Sequence, residues 1–104
     1  MDSEKAIEKK LVEKVSAHGG VALKFYSPVA TGYPDRIVMM PHGQVYFVEL
    51  KSEGKKPTRL QAIRHDQLRR LGFSITTIST FNELNEFINY IHEKDIYLNA
   101  VRRL

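Results

Sequence analysis

The chain has 104 residues, of which 42% are hydrophobic and 27% charged, with a formal net charge of +4 and no cysteine. This length and composition are typical of one compact domain, and the lack of cysteine excludes a disulfide framework, a thiolate metal cluster and a cysteine nucleophile. The apolar runs are too short to cross a bilayer and the N-terminus lacks the apolar core of a signal peptide, so we expect a soluble cytoplasmic protein.

The first predicted element is an amphipathic helix over residues 3–18. Its apolar positions recur every four residues and lysine and glutamate fill the other face, a spacing typical of a helix that packs on a core with one side. Asp2 or Ser3 is suited to cap its first turn, and two glycines at positions 19 and 20 supply the stop. The core positions are expected to be Ile7, Leu11 and Val15.

Three short strands are predicted next, each rich in β-branched or aromatic residues and bounded by proline, glycine or histidine. They cover residues 21–26, 37–40 and 45–51. Residues 41–44, Pro-His-Gly-Gln, are typical of a hairpin loop. The second and third strands are therefore expected to be antiparallel neighbours.

A second helix is predicted from Thr58 to Leu71, a fourth strand over residues 73–79, and a third helix that begins with Thr80 and Glu83 at capping-box spacing. The second helix is expected to face the core with Leu60, Ile63 or His65, Leu68 and Leu71, and the third with Leu84, Phe87, Ile88 and Ile91. The order α-β-β-β-α-β-α predicts an α/β fold with a mixed central sheet flanked by helices.

The last ten residues are too apolar for a free tail. They carry Ile96, Tyr97, Leu98, Val101 and Leu104. We therefore divide the chain into a domain over residues 1–94 and an apolar C-terminal extension over residues 95–104. The extension is expected to pack on the domain or on a second subunit.

Two carboxylates and a lysine form the most informative pattern in the chain. Glu49 and Lys51 project from the same face of the third strand, while Leu50 faces the other side. Asp35, in Gly32-Tyr33-Pro34-Asp35, precedes the neighbouring strand, so a hairpin brings its carboxylate within reach of Glu49. Two carboxylates near a backbone carbonyl suit Mg²⁺ or Mn²⁺, and a lysine beside such a cation suits phosphodiester hydrolysis.

Each part of this pattern also has an ordinary interpretation. Taken alone, Asp35 after Pro34 is typical of a turn residue, and Glu49 with Lys51 is typical of a solvated strand end. The context favours a site, because the two parts lie on adjacent predicted strands. A helix that carries glutamates precedes them, and a basic loop and a helix starting near Gln61 follow.

These motifs together resemble the VRR-NUC (virus-type replication-repair nuclease) family of the PD-(D/E)XK nuclease superfamily. The residues that carry the resemblance are Glu4 and Glu8 before Gly19-Gly20, then Gly32-Tyr33-Pro34-Asp35, Glu49-Leu50-Lys51 and Gln61. It covers residues 3–93, and the length is similar to that of stand-alone phage and bacterial members. It implies a restriction-endonuclease-like core and metal-dependent DNA cleavage in the cytoplasm of a bacterium or a phage-infected host cell.

The resemblance also implies roles for individual residues. Asp35, Glu49 and the Leu50 carbonyl would hold Mg²⁺ or Mn²⁺, and Lys51 would be the catalytic lysine. The first helix offers either Glu4 or Glu8; Glu8 is favoured by its distance from Gly19 and would bind a second metal or hold a metal-bound water. Both glutamates also fit a charged, solvated helix face.

Gln61 has two possible roles. With Thr58 it forms a capping-box sequence, in which its side chain would bond the Thr58 amide. The family has a glutamine in this helix that is directed at the active site, and we expect that one rotamer cannot fill both roles. The site role is favoured.

Lysine and arginine cluster after the third strand, which favours a polyanionic partner. Lys55, Lys56 and Arg59 are the candidates for phosphate contacts, although such runs are also typical of solvated surfaces. No pair of histidines has metal-ligand spacing, so none is given a catalytic role. Tyr33 fits contact with DNA and local packing equally well.

The resemblance therefore predicts a metal-dependent, structure-selective DNA endonuclease that resolves Holliday junctions as a homodimer, with no organic cofactor and no membrane partner. Two alternatives stay open. One is a nuclease directed at flaps, nicks or ends, and the other is a non-catalytic nucleic-acid-binding module on the same fold.

Overall fold

The computed structural model describes residues 2–102 and has three α-helices and four strands. In chain order they are α1 (Glu4–Ala17), β1 (Val21–Lys24), β2 (Arg36–Met40), β3 (Gln44–Leu50), α2 (Arg59–Arg70), β4 (Ser74–Ile78) and α3 (Phe81–Arg102). This order confirms the predicted succession of helices and strands. The residues that were expected to end β1 and β3, Tyr26 and Lys51, lie just outside those strands.

The strands form one mixed sheet with the order β1-β2-β3-β4. β1, β2 and β3 are successive antiparallel neighbours, as predicted for β2 and β3, and β4 lies parallel to β3 because the chain crosses over through α2. A short 3-10 turn, Pro41–Gly43, joins β2 to β3, with His42 at a φ of 66°.

The two faces of the sheet are covered unequally. α1 and α3 pack on one face and enclose the core, which contains Ile7, Leu11, Val15, Ala22, Val38, Met40, Tyr46, Val48, Leu50, Ile78, Leu84, Phe87, Ile88 and Ile91. Alternate residues of β3 point to the opposite face, where α2 lies against β4. Glu49 belongs to this second face, so the fold directs its carboxylate towards α2.

Fewer residues of α2 are buried than the sequence predicts. Leu60 and Leu71 are 41% and 74% exposed, so the expectation that they face the core is wrong. Of the two alternatives between them, His65 is buried and Ile63 is exposed. Because α2 contacts the sheet mainly at β4, only His65 and Leu68 reach the interior.

The C-terminal residues continue α3 without a break at position 94. Ile96, Tyr97 and Val101 are 55%, 61% and 43% exposed, so they do not pack on this domain, whereas Leu98 is half-buried. Leu104 lies outside the described residues. No helix within residues 2–102 is long and apolar enough to span a membrane.

Candidate active site

The Glu49 carboxylate is the centre of the candidate site. The residue is 1% exposed, at the end of β3 that adjoins β4. Its Oε2 atom accepts a hydrogen bond of 3.1 Å from Gln61 Nε2 and lies 3.6 Å from Lys51 Nζ. Its Oε1 atom is buried without a hydrogen-bond partner within residues 2–102. One oxygen is therefore held by the protein, and the other has no partner within residues 2–102.

The electrostatic surroundings of Glu49 are unfavourable for a free carboxylate. Burial is the main cause that raises the pKa of Glu49 to about 7, and the Asp35 carboxylate adds to the increase. The Lys51 ammonium acts in the opposite direction, but it does not compensate. A group placed in this way gains much from a bound cation.

Asp35 is fixed beside Glu49 by two backbone contacts. The Leu50 amide donates a hydrogen bond of 2.7 Å to Asp35 Oδ2, and the Phe25 amide donates one of 2.9 Å to the Asp35 carbonyl oxygen. The first contact joins the Asp35 side chain to β3, one residue after Glu49. The predicted meeting of these two carboxylates across the β2–β3 pair is thus observed.

The loop that leads to Asp35 passes close to α2 at Gly32. This glycine has a φ of 88°, a conformation that favours glycine. A Cβ atom at this position would lie 2.8 Å from Leu60 Cγ on α2. The close approach of the loop to α2 therefore requires glycine just before Pro34 and Asp35.

Gln61 has both of the roles that the sequence analysis treated as alternatives, although only the site role was favoured there. Its Oε1 atom accepts a hydrogen bond of 2.9 Å from the Thr58 amide, while its Nε2 atom donates to Glu49 Oε2. The expectation that one rotamer cannot do both was wrong, because the acceptor and the donor of an amide are different atoms on opposite sides of the group. The same side chain caps α2 and orients Glu49.

The two glutamates of α1 form hydrogen bonds with Arg36 and Ser52. Glu8 Oε2 accepts a hydrogen bond of 3.0 Å from Arg36 Nε, in an ion pair one residue after Asp35. Glu4 Oε2 accepts a bond of 3.3 Å from the Ser52 hydroxyl, one residue after Lys51. Asp35, Glu49, Lys51 and Gln61 are thus brought together, whereas Glu8 and Glu4 contact the residues that follow Asp35 and Lys51 in the sequence.

The donor set suits a hard cation. The carboxylates of Asp35 and Glu49 and the Leu50 carbonyl are oxygen ligands, which Mg²⁺ and Mn²⁺ prefer, and Mg²⁺ commonly keeps several waters in addition. Within residues 2–102, no cluster of three or more histidine, aspartate and glutamate side chains has the arrangement of a metal site. The buried and unpartnered Glu49 Oε1 is the observation that fits a cation.

His65 is a residue of this site that the sequence analysis missed. Its Nε2 atom lies 3.8 Å from Glu49 Oε1, and the residue is 2% exposed. Burial lowers the pKa of His65, and the charges of Arg69 and Lys51 act in the same direction. Its position four residues after Gln61, on the same face of a helix, was the signal that could have identified it.

The candidate DNA-binding residues differ in whether their side chains pack against other residues. Lys55, Lys56 and Arg59 are exposed, and within residues 2–102 none of them forms an ion pair. Tyr33 packs locally, with its ring centroid 5.4 Å from that of Phe25 and 5.0 Å from the Arg64 guanidinium. The three exposed cations occupy the segment between Lys51 and Gln61, next to the candidate site.

No family model matches the sequence, although the chain is similar to a known protein and to a solved structure. The chain is 44% identical over 77 residues to "Putative nuclease p44" of Acyrthosiphon pisum secondary endosymbiont phage 1, an alignment that covers 74% of this chain and 83% of that protein. Among solved structures, one described as "VRR_NUC domain" superposes with a TM-score of 0.79 and 30% sequence identity. That superposition covers 83% of this chain and 94% of the other.

Proposed function

The chain belongs to the VRR-NUC family of nucleases, and from this premise we propose that it is a divalent-metal-dependent DNA endonuclease acting on branched DNA. The observation that carries the metal dependence is the buried Glu49 Oε1 atom, which has no hydrogen-bond partner within residues 2–102 and lies in a carboxylate whose pKa is raised by burial and by Asp35. A bound cation would relieve both effects.

Asp35, Glu49 and the Leu50 carbonyl would hold Mg²⁺ or Mn²⁺. When bound, the cation would polarise the scissile phosphate and lower the pKa of a coordinated water. Gln61 orients Glu49, and Lys51 supplies positive charge where the transition state accumulates negative charge. We include Glu8 as an outer site residue, which would bind a second metal or hold a metal-bound water through the oxygen that does not contact Arg36.

The DNA backbone would lie along the segment that follows Lys51. Lys55, Lys56 and Arg59 are exposed and free of ion pairs within residues 2–102, so they are available to phosphates. Such contacts position the duplex without reading its sequence. This fits an enzyme that selects the structure of its substrate.

Selectivity for branched DNA is supported by the β1–β2 loop, residues 25–35. Its base is held at Asp35 and by a hydrogen bond of 3.0 Å from Arg64 Nε to the Thr31 carbonyl oxygen. Its tip presents Tyr26 and Val29, which are 83% and 94% exposed. Exposed apolar and aromatic side chains on the loop that ends at Asp35 are suited to stack on bases that are unpaired at a branch.

We further propose that the enzyme works as a homodimer, because two symmetric active sites can cut two strands of a four-way junction. The support is the second half of α3, where exposed Ile96, Tyr97 and Val101 provide an apolar surface.

The test is cleavage of labelled four-way, flap and linear duplex DNA by the purified protein with Mg²⁺, Mn²⁺ or EDTA. We expect cutting of the four-way junction with either metal and none in EDTA. Glu49→Gln and Lys51→Ala should each lose at least about a hundredfold in rate, while Glu86→Gln, an exposed control on α3, should cut as well as the parent. Comparison of Glu8→Gln with Glu4→Gln identifies the glutamate of α1 that contributes.

Other outcomes favour the alternatives. Cutting of flaps or ends in preference to the four-way junction would support a nuclease of different selectivity. Absence of cutting with every metal, together with DNA binding, would support a non-catalytic module.

A further inference from the structure

Two buried polar atoms face each other in the site, and neither has a hydrogen-bond partner within residues 2–102. They are Glu49 Oε1 and His65 Nε2, 3.8 Å apart. The residues that carry them are 1% and 2% exposed. Unpartnered polar atoms in a protein interior are rare and unfavourable for folding, so a pair aimed at one another points to a function.

We propose that His65 is a positioning residue that fixes the second oxygen of Glu49, as Gln61 fixes the first. This inference rests on the proposed function, in which Glu49 is a metal ligand. The separation of 3.8 Å is longer than a hydrogen bond, and a small displacement of the imidazole or one bridging water closes it. The Nε2–H group then donates towards Oε1, which keeps its other lone pair for the cation.

The local structure makes the two contacts cooperate. Gln61 and His65 lie four residues apart on one face of α2, so both reach Glu49 from the same side. The capping box with Thr58 fixes the first turn of that helix. A rigid helix therefore presents two donors to the two oxygens of one carboxylate. Such outer contacts commonly change metal affinity by 10- to 100-fold.

Packing alone is the competing explanation for a buried histidine. It predicts that an apolar residue of similar size would serve as well at position 65. The positioning role predicts that an apolar residue fails and that a side chain with a donor restores the function. His65→Leu and His65→Gln separate the two explanations, with Leu68→Ala as a matched control for lost packing on the same helix.

The experiment measures Mn²⁺ affinity by titration calorimetry and stability by urea unfolding in EDTA, on the full chain. We expect His65→Leu to bind Mn²⁺ roughly 10- to 100-fold more weakly while it unfolds at the same or a higher urea concentration. His65→Gln should recover most of the affinity. Leu68→Ala should unfold earlier and keep the affinity of the parent. His65→Leu binding Mn²⁺ as tightly as the parent would overturn the inference.

Two further measurements separate a failure of this inference from a failure of the proposed site. Glu49→Gln with the Mn²⁺ affinity of the parent would overturn the proposed site, and the role of His65 with it. Loss of affinity in Glu49→Gln but not in His65→Leu would overturn the role of His65 alone. Nitrogen NMR of the metal-free protein should find the proton on Nε2 and a shift of that nitrogen in Glu49→Gln; a proton on Nδ1 only would contradict the proposal without reference to metal.

Discussion

Glu49 makes opposite contributions to stability and to the proposed function. Its pKa rises from 4.5 to about 7 on folding, so the folded state binds the proton more tightly than the unfolded state. The free energy of unfolding of the metal-free protein should therefore fall as pH rises through this interval and stay lower above it. The charge that disfavours folding is the one that would attract a cation.

Glu49→Gln should for this reason stabilise the metal-free protein. In EDTA at pH 8 we expect its free energy of unfolding to exceed that of the parent by as much as about 3 kcal/mol, with the difference disappearing near pH 4.5. Urea unfolding across this pH range measures it. Addition of Mn²⁺ should stabilise the parent and not the variant. Identical pH dependence in the two proteins would contradict this account of Glu49.

Single residues differ in how far their place could be predicted. Strand alternation was enough to bring Glu49 and Lys51 to one face, and the hairpin brought Asp35 beside them. The partner of Glu8 could not be predicted, because the ion pair with Arg36 depends on how α1 packs on the sheet. The spacing between histidines does not identify His65, because its place in the site follows from its position four residues after Gln61 on the same face of α2.

At the scale of elements, the β1–β2 loop joins a fixed base to an exposed tip. If the tip stacks on bases at a branch, Tyr26→Ser and Val29→Ser should each reduce the preference for four-way over linear DNA roughly fivefold or more, with cleavage of linear DNA kept. Ratios of kcat/KM on the two substrates measure this. Leu71→Ser, which changes an exposed apolar residue outside the loop, should leave the ratio unchanged. An unaltered ratio in both tip variants would exclude this role.

The second half of α3 supports a different prediction. An exposed apolar surface on the second half of a helix suits contact with a second copy. Tyr97→Glu should shift the protein from dimer to monomer in sedimentation velocity without lowering its unfolding midpoint. Leu71→Glu, at another exposed apolar position, should stay dimeric. A truncation after Lys94 that remained dimeric would rule out residues 95–104 as the contact.

Elements were predicted more reliably than the faces they bury. The order of helices and strands follows from periodicity and from stop signals such as Gly72, and it is observed. Leu60 and Leu71 were expected inside, yet they are exposed because α2 contacts the sheet mainly at β4. The extent to which a helix is covered depends on tertiary arrangement, which apolar spacing alone does not define.

At the scale of the whole molecule, the net charge of +4 understates the local field beside the site. Three cations that form no ion pair with any residue in the range 2–102 follow Lys51, while other basic residues, such as Arg36 and Arg70, are paired with carboxylates. Replacing Lys55, Lys56 and Arg59 by glutamine should reduce the slope of log affinity against log salt by about 2 to 3. DNA-binding titrations between 50 and 200 mM salt, on the order of physiological ionic strength, measure the slope. Lys94→Gln with Arg102→Gln should leave it unchanged, and a parental slope in the triple variant would remove these residues from the DNA interface.

The two hydrogen bonds of Gln61 limit which substitutions at position 61 are compatible with both folding and DNA cutting. Glutamate at this position keeps an acceptor for the Thr58 amide but places a second negative charge against Glu49, and alanine loses both contacts. In a library of all substitutions at position 61, Gln61→Glu should survive selection for folded protein and disappear under selection for DNA cutting. The first turn of α2 and the Glu49 carboxylate of β3 therefore constrain the same position, because one amide side chain bonds to both.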